Sequence, residues 1–471
     1  MGKKETSIVI IGGGITGLAA AYYLQQQTEQ LKTPYNIQLL EASHRFGGKI
    51  RTERKDGFII ERGPDSFLGR KRPAIRLVES LQIENQLVRN TTGQAYILSN
   101  DVLHKMPPGS FMGVPTTLQP FLKTSLLSKR GKARTGLDFI LPRSTFVGDQ
   151  SLGYFLRRRF GDELIDHIIE PLLSGIYAGD IDEMSLYATF PQFFELEQAH
   201  KSIIKGIRNT MGKRSANTGE KTGQFCTFTN GLDTLVTALE HAISPSVLKK
   251  NHFVERIEQK SNTYTIHCQN GERIEADVVL ATTPHHLLEK IVGNNSYMDR
   301  LFDMTSNSVA NVALAYDTDD LGPTLDGTGF VISRHSNYRI TACTWTHKKW
   351  QHTTPEGRAL LRAYVGKTTD QSVVHLSDEE ITEIALQDIE KSTGIKKEPT
   401  FSVVTRWDNA MPQYTVGHKA RVLHTKRTLE KEMPGFFLAG SSLEGVGIPD
   451  CIGQAEEVVR QIIEYVQTKT I

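Results

Sequence analysis

The chain is 471 residues long, 23% charged, and carries a formal net charge of +2. That length can bury two or three domains, and so balanced a charge gives no electrostatic reason to bind nucleic acid. Its four cysteines, Cys226, Cys268, Cys343 and Cys451, contain no C-x-x-C pair, and no run approaches eighteen apolar residues. Neither a disulfide framework, a zinc site, a signal peptide nor a membrane span is therefore expected, which fits a reducing, cytoplasmic setting.

Met1-Gly2-Lys3-Lys4-Glu5-Thr6 fits the loose N-myristoylation pattern, which short basic starts match by chance. Ser7–Ile11 reads as a strand, Gly12-Gly13-Gly14-Ile15-Thr16-Gly17 as a G-x-G-x-x-G turn, and Leu18–Gln27 as a helix. Gly12 permits the tight turn, Gly14 lets backbone approach a pyrophosphate, and Gly17 lets helix pack on strand. The helix start points free N–H groups and its positive dipole end at the phosphates. A second strand, Ile37–Leu40, ends in Glu41, an acceptor for a ribose diol; Ala42, Gly47-Gly48-Lys49 and the small-residue turn Gly63-Pro64-Asp65-Ser66 follow. No second G-x-G-x-x-G opens a helix, so nicotinamide is not the expected electron partner, and O2 is the simplest acceptor.

Met106–Arg143 mixes Pro, Gly, Leu and basic side chains, and Leu152–Leu173 reads as helical with Arg157-Arg158-Arg159 on a solvated face. Solvated charge is the commoner meaning of such runs; a peripheral contact with anionic lipid at the inner face of the cell membrane is the alternative. Gly206–Gly223 reads as a mobile surface loop. A helix at Gly231–His241 and strands at Phe253–Ile257, Tyr264–Cys268 and Ile274–Ala281 resume the dinucleotide fold, Val278–Pro284 ending beside the cofactor. Ser308–Tyr316, Gly329–Ser333, Ile340–Thr346 and Leu360–Val365 read as a mixed or antiparallel sheet over a substrate chamber. Gly435–Gly440 reads as a strand and Pro449–Val466 as a helix whose N-terminal N–H groups would face the bound cofactor.

Glu41-Ala42-Ser43-His44-Arg45-Phe46-Gly47-Gly48-Lys49 resembles the E-A-x-x-R-x-G-G-[KR] extension of the amine-oxidase-like FAD superfamily. Glu170-Pro171-Leu172-Leu173-Ser174-Gly175-Ile176-Tyr177-Ala178-Gly179-Asp180 resembles the signature of the porphyrinogen oxidases, as do Gly63–Phe67, Trp407 with Met411–Tyr414, and Gly445–Asp450. The similarity is to the monoderm-bacterial type and spans essentially the whole chain.

The resemblance implies an α/β fold: a Rossmann-like FAD-binding domain of the amine-oxidase/p-hydroxybenzoate-hydroxylase type, with a mixed-sheet substrate domain and a helical domain. Residues 1–72, 224–293 and 407–471 would bind FAD; residues 73–92, 194–223 and 294–406 would bind substrate; residues 93–193 would form the helical, membrane-associating unit. FAD contacts transfer onto Gly12 to Gly17, Glu41, Ala42, Gly48, Lys49, Gly63, Pro64, Asp65, Ser66, Val254, Trp407, Val446, Gly447 and Ile448. Val254 and Trp407 also read as ordinary core residues.

The implied activity is a six-electron oxidation of a porphyrinogen by non-covalent FAD and O2, releasing three H2O2, within heme biosynthesis. Coproporphyrinogen III is the implied substrate and protoporphyrinogen IX the alternative, with the product passing to the next heme-pathway enzyme. Lys71 is the candidate partner of a substrate propionate, with surface solvation as its bland reading. Gly175 and Ile176 would present backbone and an apolar side chain to the macrocycle, and Tyr364 a hydroxyl. No general base is named and no metal is expected. A flavin amine oxidase would need an aromatic cage. A non-enzymatic binding protein of the same fold would have lost the flavin motifs that persist here.

Overall fold

The computed structural model describes residues 5–31, 35–91, 93–215, 223–293, 298–322, 326–333 and 336–470. The start of the myristoylation pattern, residues 1–4, lies outside them.

A five-stranded parallel sheet, in the order Leu248–Lys249, Tyr35–Leu40, Thr6–Ile11, Val278–Ala281 and Phe436–Leu438, forms the dinucleotide unit. Ile8, Val9 and Ile10 have no exposed surface. A continuous apolar run of this kind is what a parallel strand covered on both faces requires. Ile15–Leu31 and Ile448–Thr470 pack together on one face, so the last helix of the chain lies against the first. The expected strand Ile274–Ala281 is two strands, Arg273–Ala276 and Val278–Ala281, separated by Asp277, whose carboxylate accepts the Ser7 N–H at 2.9 Å.

A seven-stranded mixed sheet stands over this unit, in the order Phe401–Pro412, Ser306–Asp317, Arg358–Val365, Ile340–Trp345, Gly329–Ile332, Ala95–Ser99 and Val102–Lys105. Only the Gly329–Ile332 and Ala95–Ser99 strands among these neighbours run parallel. Val309 and Asn311 line the cavity beneath the sheet, while Ala310 and Val312 enter the opposite core, the two-residue period of a pleated strand. The outer face is covered by Asp378–Thr393, whose start is fixed by a reciprocal capping box between Ser377 and Glu380.

Two expected boundaries meet this sheet. Residue 407 falls inside the Phe401–Pro412 strand, and residue 93 precedes the Ala95–Lys105 hairpin that closes the far edge. Both segments are held by backbone pairing to the seven-stranded sheet.

The helical region departs most from the sequence reading. Leu152–Leu173 is broken at Gly161, which has φ 84°, then resumes through a π-helical turn at Ile165–Ile169 into Glu170–Tyr177. Arg159 is not on a solvated face but wholly buried. Its Nε lies 2.7 Å from Asp138 and its Nη1 3.2 Å from Glu197, both also without exposed side-chain surface. An isolated buried charge would be prohibitive; this one is paired twice and donates to four further carbonyls, of Asp138, Leu141, Pro142 and Lys201. Much of the expected loop Gly206–Gly223 is helix, Ile203–Ser215, and residues 216–222 lie outside the described residues. Among the described residues, no helix is long and apolar enough to cross a membrane.

Candidate cofactor and substrate site

One cavity of about 1360 Å³ runs from the glycine-rich turn to the Glu170–Tyr177 helix and the underside of the large sheet. Gly12, Gly13, Gly14, Ile15, Thr16, Glu41, Ala42, Gly48, Lys49, Gly63, Pro64, Asp65, Ser66, Val254, Trp407, Val446, Gly447 and Ile448 all line it. So do Gly175, Ile176 and Tyr364. Residues spread over nearly the whole chain are thus brought onto one surface. Two predicted residues stand apart. Gly17 does not line the cavity: a Cβ there would sit 2.0 Å from the Gly12 carbonyl oxygen, so this glycine allows helix and turn to touch. Lys71 does not line it either; its Nζ lies 2.6 and 2.7 Å from the two Asp450 carboxylate oxygens, tying the Arg72–Ser80 helix to the final one.

The residues fit a dinucleotide. Gly14 faces open space, and a Cβ added to it meets nothing within 4 Å, as a backbone cradle requires. Glu41 accepts the Gly13 N–H at 2.8 Å through one oxygen and the Ser43 N–H at 2.8 Å through the other. A carboxylate offers about four acceptor positions, so both oxygens keep capacity for a diol. The final helix starts at Ile448 on the cavity wall. Trp407, also on the cavity wall, donates its indole N–H to the Arg62 carbonyl at 2.8 Å, which fixes the ring plane. The Lys49 ammonium donates to the Ala410 carbonyl, and burial pulls its pKa below the usual value.

Behind the Gly63–Ser66 turn is a charge cluster that sequence reasoning missed. Burial would raise the Asp65 carboxyl, but the Lys349 ammonium at 2.8 Å and the wholly buried Arg362 guanidinium at 3.7 Å outweigh it. They hold the carboxyl well below the usual carboxylate range. Arg362 also donates to the Gly63 carbonyl at 2.7 Å, bracing the turn from behind. Lys349 lies beyond the strand expected at Ile340–Thr346 and Arg362 inside the one expected at Leu360–Val365, and neither carried a motif. Cys451 lines the cavity, and burial pushes its thiol up to about 11, so it stays protonated and a poor nucleophile. Among the described residues, no group of three or more His, Cys, Asp or Glu could hold a metal ion.

Comparison with known proteins decides the family. Residues 15–463 match the profile of the flavin containing amine oxidoreductases. The chain belongs to that family. A coproporphyrinogen III oxidase of Bacillus subtilis (strain 168) is 49% identical over 466 residues, covering 98% of this chain and 99% of its own. A coproporphyrinogen III oxidase of Staphylococcus aureus is 42% identical over 467 residues, covering 97% of this chain and 99% of its own. A solved chain from Exiguobacterium sp. 255-15, provisionally assigned as a protoporphyrinogen oxidase, is 39% identical with a TM-score of 0.88, covering 98% of this chain and 99% of that one. Membership makes this chain a flavin-dependent oxidoreductase of the expected α/β architecture.

Proposed function

We propose that this chain is an oxygen-dependent FAD oxidase that converts coproporphyrinogen III to coproporphyrin III. The observation that carries the reading is the single continuous cavity. Ordinary small-molecule sites occupy roughly 300–1000 Å³; this one is larger, with dinucleotide features at one end and an apolar chamber at the other. The identities to two coproporphyrinogen III oxidases support the choice of substrate.

On this reading the glycine turn and Glu41 hold the dinucleotide. Gly63 to Ser66, Trp407 and Val446 to Ile448 seat the ring system, with Lys49 beside it. Bound FAD would supply hydride acceptance from a meso carbon and return the electrons to O2, so six electrons removed give three H2O2. The start of the Ile448–Thr470 helix, on the cavity wall, would help hold the cofactor by offering its positive dipole end to negative charge gained on reduction. Gly175 and Ile176 offer a flat, apolar wall: Ile176 keeps 46% of its surface exposed, and Gly175 has open space where a side chain would stand. The buried, protonated Cys451 favours a non-covalent cofactor.

The porphyrin would leave for the next heme-pathway enzyme. Leu118, Leu122, Ile140, Phe146 and Val147 expose apolar surface in the region that holds Lys129, Arg130 and Lys132, and support peripheral contact with anionic lipid on the cytoplasmic side. Turnover of coproporphyrinogen III and protoporphyrinogen IX under air, followed by porphyrin fluorescence, tests the substrate assignment. A higher kcat/KM for protoporphyrinogen IX overturns it.

A further inference from the structure

A polycarboxylate substrate needs a cation in the chamber, and with Lys71 held by Asp450 another residue must supply it. No arginine lines the cavity among the described residues; four lysines do. Lys49 is engaged by the Ala410 carbonyl and Lys349 by Asp65. Lys290 stands exposed on the His285–Val292 helix, which packs against the Val254–Lys260 strand on the dinucleotide side.

Lys367 remains. It opens a turn after the Arg358–Val365 strand, closed by the Asp370 N–H on the Lys367 carbonyl at 3.1 Å. Thr368, Thr369, Thr341 and Tyr364 line the cavity with it. Its Nζ rests on the Ser336 carbonyl at 3.3 Å, and among the described residues no carboxylate lies within ion-pair distance. Burial disfavours this ammonium, while the fields of Asp388, Glu170 and Asp370 support it only in part. A half-buried cation without an anion is completed by an incoming carboxylate.

We propose that Lys367 receives a propionate of the substrate and thereby favours a tetracarboxylate over a dicarboxylate macrocycle. The inference rests on the porphyrinogen reading of the chamber. In coproporphyrinogen III every pyrrole bears one propionate, three at equivalent positions and the fourth on the neighbouring carbon of the reversed ring, so every quarter turn brings a carboxylate close to a single fixed cation. In protoporphyrinogen IX only two adjacent pyrroles do, so half of the orientations leave the ammonium facing a vinyl group.

The test compares flavin-loaded parent, Lys367→Met and Lys367→Arg. KM and kcat are measured with both porphyrinogens, and equilibrium binding is measured with coproporphyrin III and its tetramethyl ester. Loss of a charge-assisted contact is expected to raise KM and Kd for the tetracarboxylate about tenfold or more. The kcat should stay within about twofold and ester binding unchanged, with most of the affinity restored in Lys367→Arg. Should Lys367→Met lose its flavin, Lys367→Gln carries the same comparison. Parent-like coproporphyrin affinity in the uncharged variant overturns the inference. A parent that does not oxidise coproporphyrinogen III overturns the functional reading instead.

Discussion

Tyr414 and His418 stack face to face, ring centroids 4.1 Å apart and 12° from parallel, and His418 Nε2 donates to the Leu443 carbonyl at 2.7 Å. His285 braces the same loop, accepting the Ser442 hydroxyl at Nδ1 (3.3 Å) and donating from Nε2 to the Met304 carbonyl at 2.6 Å. Burial lowers both imidazoles from 6.5 to about 4, against the opposing pull of their carbonyl partners. The unfolded chain therefore binds protons below pH 6.5 that the fold refuses until about 4. Their stabilising contribution is complete above 6.5 and is lost as pH falls toward 4, on the order of 3 kcal/mol per histidine. Thermal melts from pH 7.5 to 4.5 should show Tm falling through this window, with flavin release in parallel. A His418→Gln variant that leaves the slope unchanged would refute the assignment.

Asp138→Ala should be among the most damaging single changes in the helical region. It leaves the wholly buried Arg159 with Glu197 as its one remaining anion, already shared with Arg158, and removes the acceptor for the Ser202 hydroxyl at 2.6 Å and the Ile204 N–H at 3.0 Å. Breaking a buried ion pair from one side costs about 3–5 kcal/mol. Urea unfolding is the measurement, and a loss below about 1 kcal/mol would contradict the buried-pair description.

Gly14→Val separates folding from cofactor retention. Because a Cβ there meets no protein atom within 4 Å, the apoprotein should melt within a few degrees of the parent. The branched side chain fills the space the pyrophosphate needs, so the purified protein should be colourless, with FAD affinity reduced at least about tenfold. A yellow, fully loaded variant would place the phosphates elsewhere.

Gly175→Ala should move stability and turnover in opposite directions. The residue lies inside the Glu170–Tyr177 helix, where alanine is favoured over glycine by roughly 0.5–1 kcal/mol. Its new methyl would stand in the chamber against a rigid macrocycle. A raised Tm with a raised KM for coproporphyrinogen is expected, and Gly175→Leu should block turnover while retaining flavin. Unchanged KM in both variants would remove this helix from the substrate wall.

The first strand, the glycine turn and Glu41 could be read directly because each role depends on local chain geometry: a covered parallel strand, a turn that side chains would obstruct, an acid at a strand end. The sheet over the chamber was legible for the same reason, its two-residue period surviving in Ser306–Asp317 and Arg358–Val365. Arg159 was misread because three consecutive arginines look alike in sequence, and only the arrival of Asp138 and Glu197 makes burial of one of them affordable. The pairing of Lys71 was not legible because its partner, Asp450, lies 379 residues away.

Sequence by itself determined the dinucleotide scaffold and the family resemblance, since both reside in short runs whose spacing is set by backbone geometry. Which lysine is neutralised and which still faces the chamber was decided only by the tertiary structure. Pairing energy depends on distances of a few ångströms between segments hundreds of residues apart, and no local pattern encodes those distances.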